Sequence, residues 1–195
     1  MWYELTRGLA YLSIRHPSIG WYRFKLPAIL TIFLCVIYVA LPVKPKLLGD
    51  GALFENMLGV IATLPGFYFA ALAAIATFNR PGMDGEIPPP APTIDVVVQG
   101  EAEPVALTRR MFLSYMFSYL TVTSLTLCMI IVALNALLPS IEYFQYKMID
   151  WKYLCEIRLL GELAIMVVVI LPMSALAFTT LHGLFFLTER IHQPY

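Results

Sequence analysis

Residues 111–138 read MFLSYMFSYLTVTSLTLCMIIVALNALL, and this stretch decides the class of fold. It contains no Lys, Arg, Asp or Glu, it follows Arg109 and Arg110, and it is closed by Pro139. A helix needs about 20 apolar residues to cross the roughly 30 Å hydrocarbon core of a bilayer, because unpaired backbone groups are too costly there. The stretch therefore predicts a transmembrane helix.

Three further stretches have the same character, with bounds at residues 26–43, 57–78 and 159–187. Among their side chains only that of Glu162 carries a charge. The whole chain is 59% hydrophobic and 13% charged, against about 25% charged residues in soluble domains. The prediction is an all-α integral membrane protein whose domain, residues 26–195, has four transmembrane helices. The zero net charge gives no basic surface of the kind that binds nucleic acid directly.

The basic residues near the ends of the spans predict the orientation, since cytoplasmic ends carry an excess of Lys and Arg. Eight lie on the side of the N-terminus: Arg7, Arg15, Arg23, Lys25, Arg80, Arg109, Arg110 and Arg190. Five lie on the other side: Lys44, Lys46, Lys147, Lys152 and Arg158. We therefore expect a multi-pass membrane protein with both termini in the cytoplasm.

Residues 1–25 form an aromatic and basic segment ahead of the first span. Trp2, Leu5, Leu9 and Leu12 recur at helical spacing, which predicts an amphipathic helix on the lipid surface that breaks at Pro17. A plain extension of the first span is the alternative. Residues 139–158 mix aromatic and charged side chains, which suits either a cap lying on the bilayer or a helical extension of the fourth span.

The link between the second and third spans, residues 79–110, is the longest polar segment, and we call it the arm. Its first half, RPGMDGEIPPPAP, is too rich in Pro and Gly for a regular helix. The run Thr93–Gln99 (TIDVVVQ) has strong strand propensity because of its β-branched residues. A lone strand needs a partner, which could lie within the arm, in a second copy of the chain, or in a soluble protein. The predicted partner-binding residues are Ile94, Asp95, Val96, Val97, Val98, Arg109 and Arg110.

The sequence offers no pattern of catalytic or ligand-binding residues. The three cysteines stand in three different segments, and the three histidines do not occur at metal-ligand spacing. We therefore expect no enzyme activity, no catalytic residue, no cofactor and no metal site.

Three polar residues within the spans form a candidate intramembrane site: Glu162, Asn135 and His182. Ionisable groups inside a bilayer are usually functional, although Glu162 could equally lie at the interface and favour a helix start. Asn135 is predicted at the same depth and is its candidate hydrogen-bond partner. His182 and Gly183 are predicted to form a close helix–helix contact.

The overall plan resembles the membrane subunit, KwaA, of the two-component bacterial Kiwa antiphage system. The resemblance lies in the four spans, in WYRFK before the first span, in the arm sequence GEIPPPAPTIDVVVQGEAEP, and in the C-terminal FFLTERIHQPY. It implies a tetrameric inner-membrane sensor of phage infection that binds a soluble DNA-binding effector, KwaB.

Two functional hypotheses therefore remain. The first is an oligomeric membrane sensor or scaffold that holds a soluble cytoplasmic partner through the arm. The alternative is a small oligomeric channel or transporter that uses the polar residues near the outer ends of the third and fourth helices.

Overall fold

The structure is a computed structural model, and it describes residues 7–16, 19–77, 83–87, 89–98, 101–147 and 154–188. A 3₁₀ helix and a π-helical turn precede five α-helices and a two-stranded sheet. In chain order the elements are the 3₁₀ helix Arg7–Ser13, the π-helical turn Trp21–Lys25, α1 (Leu26–Ala40), α2 (Leu53–Ile61), α3 (Leu64–Thr77), β1 (Thr93–Val98), β2 (Glu101–Ala106), α4 (Arg109–Lys147) and α5 (Leu154–Thr188).

Within these described ranges, four helical stretches are long and apolar enough to cross a membrane: Trp21–Ala40, Leu53–Thr77, Arg109–Tyr143 and Glu156–Thr188. This confirms the predicted number of apolar helices of spanning length. The second stretch is divided into α2 and α3 just before Pro65. Pro65 has no N–H to donate to a carbonyl of the preceding turn. At the break, the backbone N–H of Thr63 donates to the Val60 carbonyl over 3.2 Å, three residues back in the chain.

Pro139 does not end the third span as expected, because α4 continues through it to Lys147. At 39 residues α4 is about 58 Å long, nearly twice the thickness of the hydrocarbon core. The 35-residue helix α5 is about 52 Å long. Residues 139–158 were predicted to form either a cap on the bilayer or a helical extension of the fourth span. Their described parts are helical: residues 139–147 extend α4, and residues 154–158 form the start of α5.

Helix α4 lies at the centre of the bundle and packs against α3, α5 and the 3₁₀ helix. One face of it is fully buried and supplies Leu113, Met116, Leu120, Leu127 and Ile131. Helix α1 packs against α5. The core is therefore a layer of side chains from α4 covered by the other helices.

The N-terminal segment packs against α4, and its buried face differs from the predicted one. Ala10, Tyr11 and Ile14 are buried, whereas Leu9 and Leu12 are 37% and 36% exposed. A 3₁₀ helix has three residues per turn, so every third residue shares a face, and the predicted face assumed an α-helix. Trp2, Leu5 and Pro17 of that prediction lie outside the described residues.

The 3₁₀ helix also contacts α4 well beyond the first turn of that helix. A Cβ atom added to Gly8 would lie 2.9 Å from Val122 Cγ2, and Val122 is 13 residues beyond Arg109. At 1.5 Å per residue this is about 20 Å along the helix axis. Gly8 therefore permits a close approach of the segment to α4 about one third of the way along that helix.

The arm contains an antiparallel hairpin, in which β1 pairs with β2 from Thr93 opposite Ala106 to Val98 opposite Glu101. The predicted strand therefore finds its partner within the arm, the first of the three alternatives. Gln99, the last residue of the predicted run, lies outside the described residues. The hairpin, the N-terminal segment and the start of α4 meet at one end of the bundle, which we call the arm end. The connection of residues 41–52 lies at the other end, which we call the loop end.

Candidate functional site

The outer edge of β1 is the first feature of the arm that could bind another chain. The Arg15 N–H donates to the Thr93 carbonyl over 2.9 Å, and the Thr93 N–H donates to the Arg15 carbonyl over 3.2 Å. Thr93 therefore directs its backbone groups away from β2. Because this direction alternates along an antiparallel strand, the N–H and C=O groups of Asp95 and Val97 also point away from β2. Among the described residues, no backbone group pairs with those two positions on that edge.

The outer edge of β2 differs from that of β1, because Pro104 interrupts it. Pro104 lies opposite Asp95, and the alternation places its ring nitrogen on the edge that faces away from β1. Proline has no N–H and occurs in sheets at edges of this kind. A proline on an edge protects a strand from pairing with another chain. The hairpin therefore has one protected edge and one edge with available backbone groups.

The base of the hairpin is anchored in the core. Ile94 is 1% exposed and Leu107 is fully buried. The Leu107 N–H donates to the Pro92 carbonyl over 3.0 Å, which continues the ladder beyond β1 and β2. Ile94 was predicted as a partner-binding residue, but its side chain packs inside the protein and so stabilises the hairpin.

Arg109 and Arg110, also predicted to bind a partner, hold the arm against the bundle. The Arg110 guanidinium donates to both carboxylate oxygens of Asp84, over 2.7 and 3.3 Å, and approaches the last carbonyls of α3 at Ile75 and Ala76. A cation is favoured there by the helix dipole. Arg109 is 6% exposed, and its backbone N–H donates to Gly85 over 3.2 Å. Both arginines therefore make contacts within the chain, and their role in partner binding stays a prediction.

Asp95 forms an ion pair with Arg15 at 2.7 Å. The two side chains are 40% and 71% exposed, so solvent screening limits the contribution of the pair to about 1 kcal/mol or less. The side chain of Val96 is half-buried. The side chains of Val97 and Val98 are not among those described, so the predicted docking surface rests on the backbone edge at Asp95 and Val97.

Tyr11 is the residue that fixes the N-terminal segment on α4. Its ring lies 5.3 Å from that of Tyr119 and 6.1 Å from that of Phe112. Burial raises the pKa of Tyr11 to about 12, an effect partly opposed by the charge of Arg23. The Arg23 guanidinium also donates to the Tyr11 carbonyl over 2.8 Å. The sequence pattern did not predict that Tyr11 is buried, because it was read with the spacing of an α-helix, which selects Trp2, Leu5, Leu9 and Leu12.

Glu162 lies at the loop end, where it joins α1 to α5. The Tyr38 hydroxyl donates to one carboxylate oxygen over 3.0 Å, and Arg158 donates to the other over 3.1 Å. Asn135 is not the partner that was predicted for Glu162, because its side-chain oxygen accepts the Gly49 N–H at 2.9 Å. Gly49 has a positive φ of 98°, a conformation that glycine adopts readily. Asn135 therefore fixes the connection of residues 41–52.

His182 lies at the arm end, among aromatic rings. Its imidazole stacks on Tyr22 at 5.1 Å and meets the edge of Phe112 at 6.4 Å. A Cβ atom added to the neighbouring Gly183 would lie 2.5 Å from Met116 Cε. The predicted close contact at this pair of residues is therefore present between α5 and α4.

Within the described ranges, no group of three or more His, Cys, Asp and Glu side chains could hold a metal ion. Cys35 and Cys128 are free thiols. The side chains of Cys155 and His192 are outside the described set.

Comparison with known proteins adds no further evidence of function, so the geometry of the arm is the main guide to it. No protein-family model, no curated protein and no solved structure matches the chain at a significant level.

Proposed function

We propose that the protein is an oligomeric sensor or scaffold of the bacterial inner membrane, which holds a soluble cytoplasmic protein through the arm. The available edge of β1 supports this proposal most directly. An extended segment of a partner would add a strand to this edge through main-chain hydrogen bonds.

The way the arm is anchored supports the same proposal. Ile94 and Leu107 are buried, and Arg110 ties the arm to the end of α3. The hairpin is thereby held in place before any partner arrives, which lowers the entropic cost of binding. The edge of β1 is thus presented on a rigid element, whereas a free loop would first have to become ordered.

The Kiwa resemblance extends the proposal to an antiphage role, with a tetrameric assembly and a KwaB-like effector as the partner. Deletion of residues 86–103 tests the docking role. We expect the deletion to abolish capture of the partner from detergent extracts, while gel filtration shows an unchanged membrane assembly. Unchanged capture would contradict the proposal.

Cysteine labelling tests the orientation that the proposal requires. Single cysteines at Asp84 and Asp150 should react from opposite sides of the membrane, with residue 84 labelled only after the cytoplasmic side is opened. Labelling of residue 84 in intact cells by an impermeant reagent would place the arm on the wrong side for a cytoplasmic partner.

A second candidate function, a small channel or transporter, is favoured by a cavity of 590 Å³ at the loop end. Of the residues that the structure describes, six with charged side chains line this cavity: Lys44, Lys46, Glu142, Glu156, Arg158 and Glu162. The buried residues of α5 beyond Glu162 are first the apolar Met166, Val169 and Ile170 and then include Ser174 and Thr179. Flux measurements in liposomes separate the two functions, because Glu162→Gln should change the flux of a channel and leave partner capture by a scaffold intact.

A further inference from the structure

A cavity of 460 Å³ lies at the arm end of the bundle. Its described walls come from four parts of the chain: His16 with residues of 19–26, the arm, the first turn of α4 and the last turns of α5. The volume falls within the range of about 300–1,000 Å³ that is usual for small-molecule sites. The arm supplies Ile87 and Pro92, so a molecule in this cavity would contact the arm directly.

The lining of the cavity is aromatic and almost entirely apolar. Phe112 and Phe186 form a buried back wall, 2% and 5% exposed. Tyr22, Leu181 and Phe185 are between 41% and 62% exposed and flank the opening. They belong to apolar helices of spanning length, so in a membrane the opening would face lipid.

The polar groups of the lining are two imidazoles, His16 and His182, and the Tyr22 hydroxyl. Imidazoles and phenols exchange hydrogen bonds with neutral oxygen atoms. Among the described residues, the lining includes no Lys or Arg, and a phosphate headgroup would need such a cation for a charge-assisted bond. Aromatic walls favour planar rings, which stack on them or meet their edges.

We propose that this cavity binds a planar, lipid-soluble ring compound with carbonyl or hydroxyl oxygens, of the isoprenoid quinone class. The ring lies among the aromatic side chains, its oxygens face the imidazoles and the Tyr22 hydroxyl, and its tail leaves through the opening between Tyr22 and Phe185. This site is separate from the edge of β1, so it can be tested independently of the docking proposal.

Equilibrium binding of radiolabelled decylubiquinone to the full-length protein in phosphatidylcholine nanodiscs tests the site, and unlabelled compounds are compared by competition. We expect saturable binding. Decylbenzene, which has a ring and a tail but no oxygens, should bind at least tenfold more weakly. Non-saturable partitioning, or equal binding of the two compounds, would overturn the proposal.

Two substitutions locate the binding. Leu181→Trp should fill the opening and abolish saturable binding, whereas Leu184→Trp, on the same helix but outside the lining, should leave it unchanged. His182→Phe keeps an aromatic ring and should weaken binding at least fivefold, and gel filtration checks that each variant is folded. Equal affinity in Leu181→Trp, His182→Phe and the wild type, or displacement of the quinone by phosphatidylglycerol, would contradict the assignment.

Discussion

Replacement of Tyr11 by alanine should release the N-terminal segment from α4. Tyr11 is 1% exposed and touches two aromatic rings, and each aromatic pair contributes about 0.5–1.5 kcal/mol. The cavity left behind adds to that loss, and aromatic-to-alanine changes in soluble cores cost about 3–5 kcal/mol. In a membrane the released segment meets lipid, which removes part of the hydrophobic contribution. We therefore expect a cost of about 2–4 kcal/mol.

Hydrogen exchange measures this cost at Arg15, whose amide is held by the Thr93 carbonyl. Since about 1.4 kcal/mol is a factor of ten, exchange at this amide should accelerate roughly 30- to 700-fold if local opening limits it. Tyr143→Ala is the matched control, because this tyrosine is 63% exposed near the far end of α4. An acceleration below about threefold in Tyr11→Ala, or an equal one in the control, would refute the reasoning.

Three further predictions concern the same region. Burial raises the pKa of Tyr11 from 10.0 to about 12, so the docked side chain favours the neutral form. Docking is therefore stable below pH 10 and weakens as the pH rises towards 12. The aromatic circular dichroism signal should fall over this range, and it should fall less in Tyr11→Phe. Arg110→Gln removes the ion pair with Asp84 and the contacts with the end of α3, which should destabilise the docked arm by about 1–2 kcal/mol. Amide hydrogen exchange in residues 83–87 should accelerate. Asp84→Asn should destabilise the arm less, because the Asp84 side chain is 70% exposed. Gly183→Leu forces Met116 aside and should lower the melting temperature through about 1–3 kcal/mol of overpacking. Gly183→Ala displaces only the end of the Met116 side chain, whose Cε would lie 2.5 Å from the new Cβ, and should lower the melting temperature less.

The sequence predicts the spans well, because apolar runs of this length without charged residues are typical of helices that cross a bilayer. It also predicts β1, since five of the six residues from Thr93 to Val98 are β-branched. The partner strand EAEPVA escapes prediction, because Glu, Ala and Pro disfavour strands in general. Pairing with β1 overrides that local preference, and Pro104 is tolerated because it lies on an outer edge.

The contacts between distant segments could not be predicted from local patterns. Tyr38 donates a hydrogen bond to Glu162, which is 124 residues away in the chain. In the sequence, an aromatic residue such as Tyr38 near the end of a span suggests only an interfacial anchor. Asn135 and Glu162 share one end of the bundle, yet the positive-φ turn at Gly49 determines the partner of Asn135. The face of the 3₁₀ helix was also missed, since a hydrophobic pattern read with a period of 3.6 selects different residues from one with a period of 3.0.

A pair of proline substitutions tests most directly whether the edge of β1 is the docking surface. Val97 and Ala102 lie opposite each other, and each directs its N–H away from the other strand. Val97→Pro therefore removes a donor from the available edge, and Ala102→Pro removes one from the edge already interrupted by Pro104; neither removes a bond within the hairpin. Partner capture from cells of the native host should be lost in Val97→Pro and retained in Ala102→Pro. Equal capture by the two variants would contradict the proposed role of the arm.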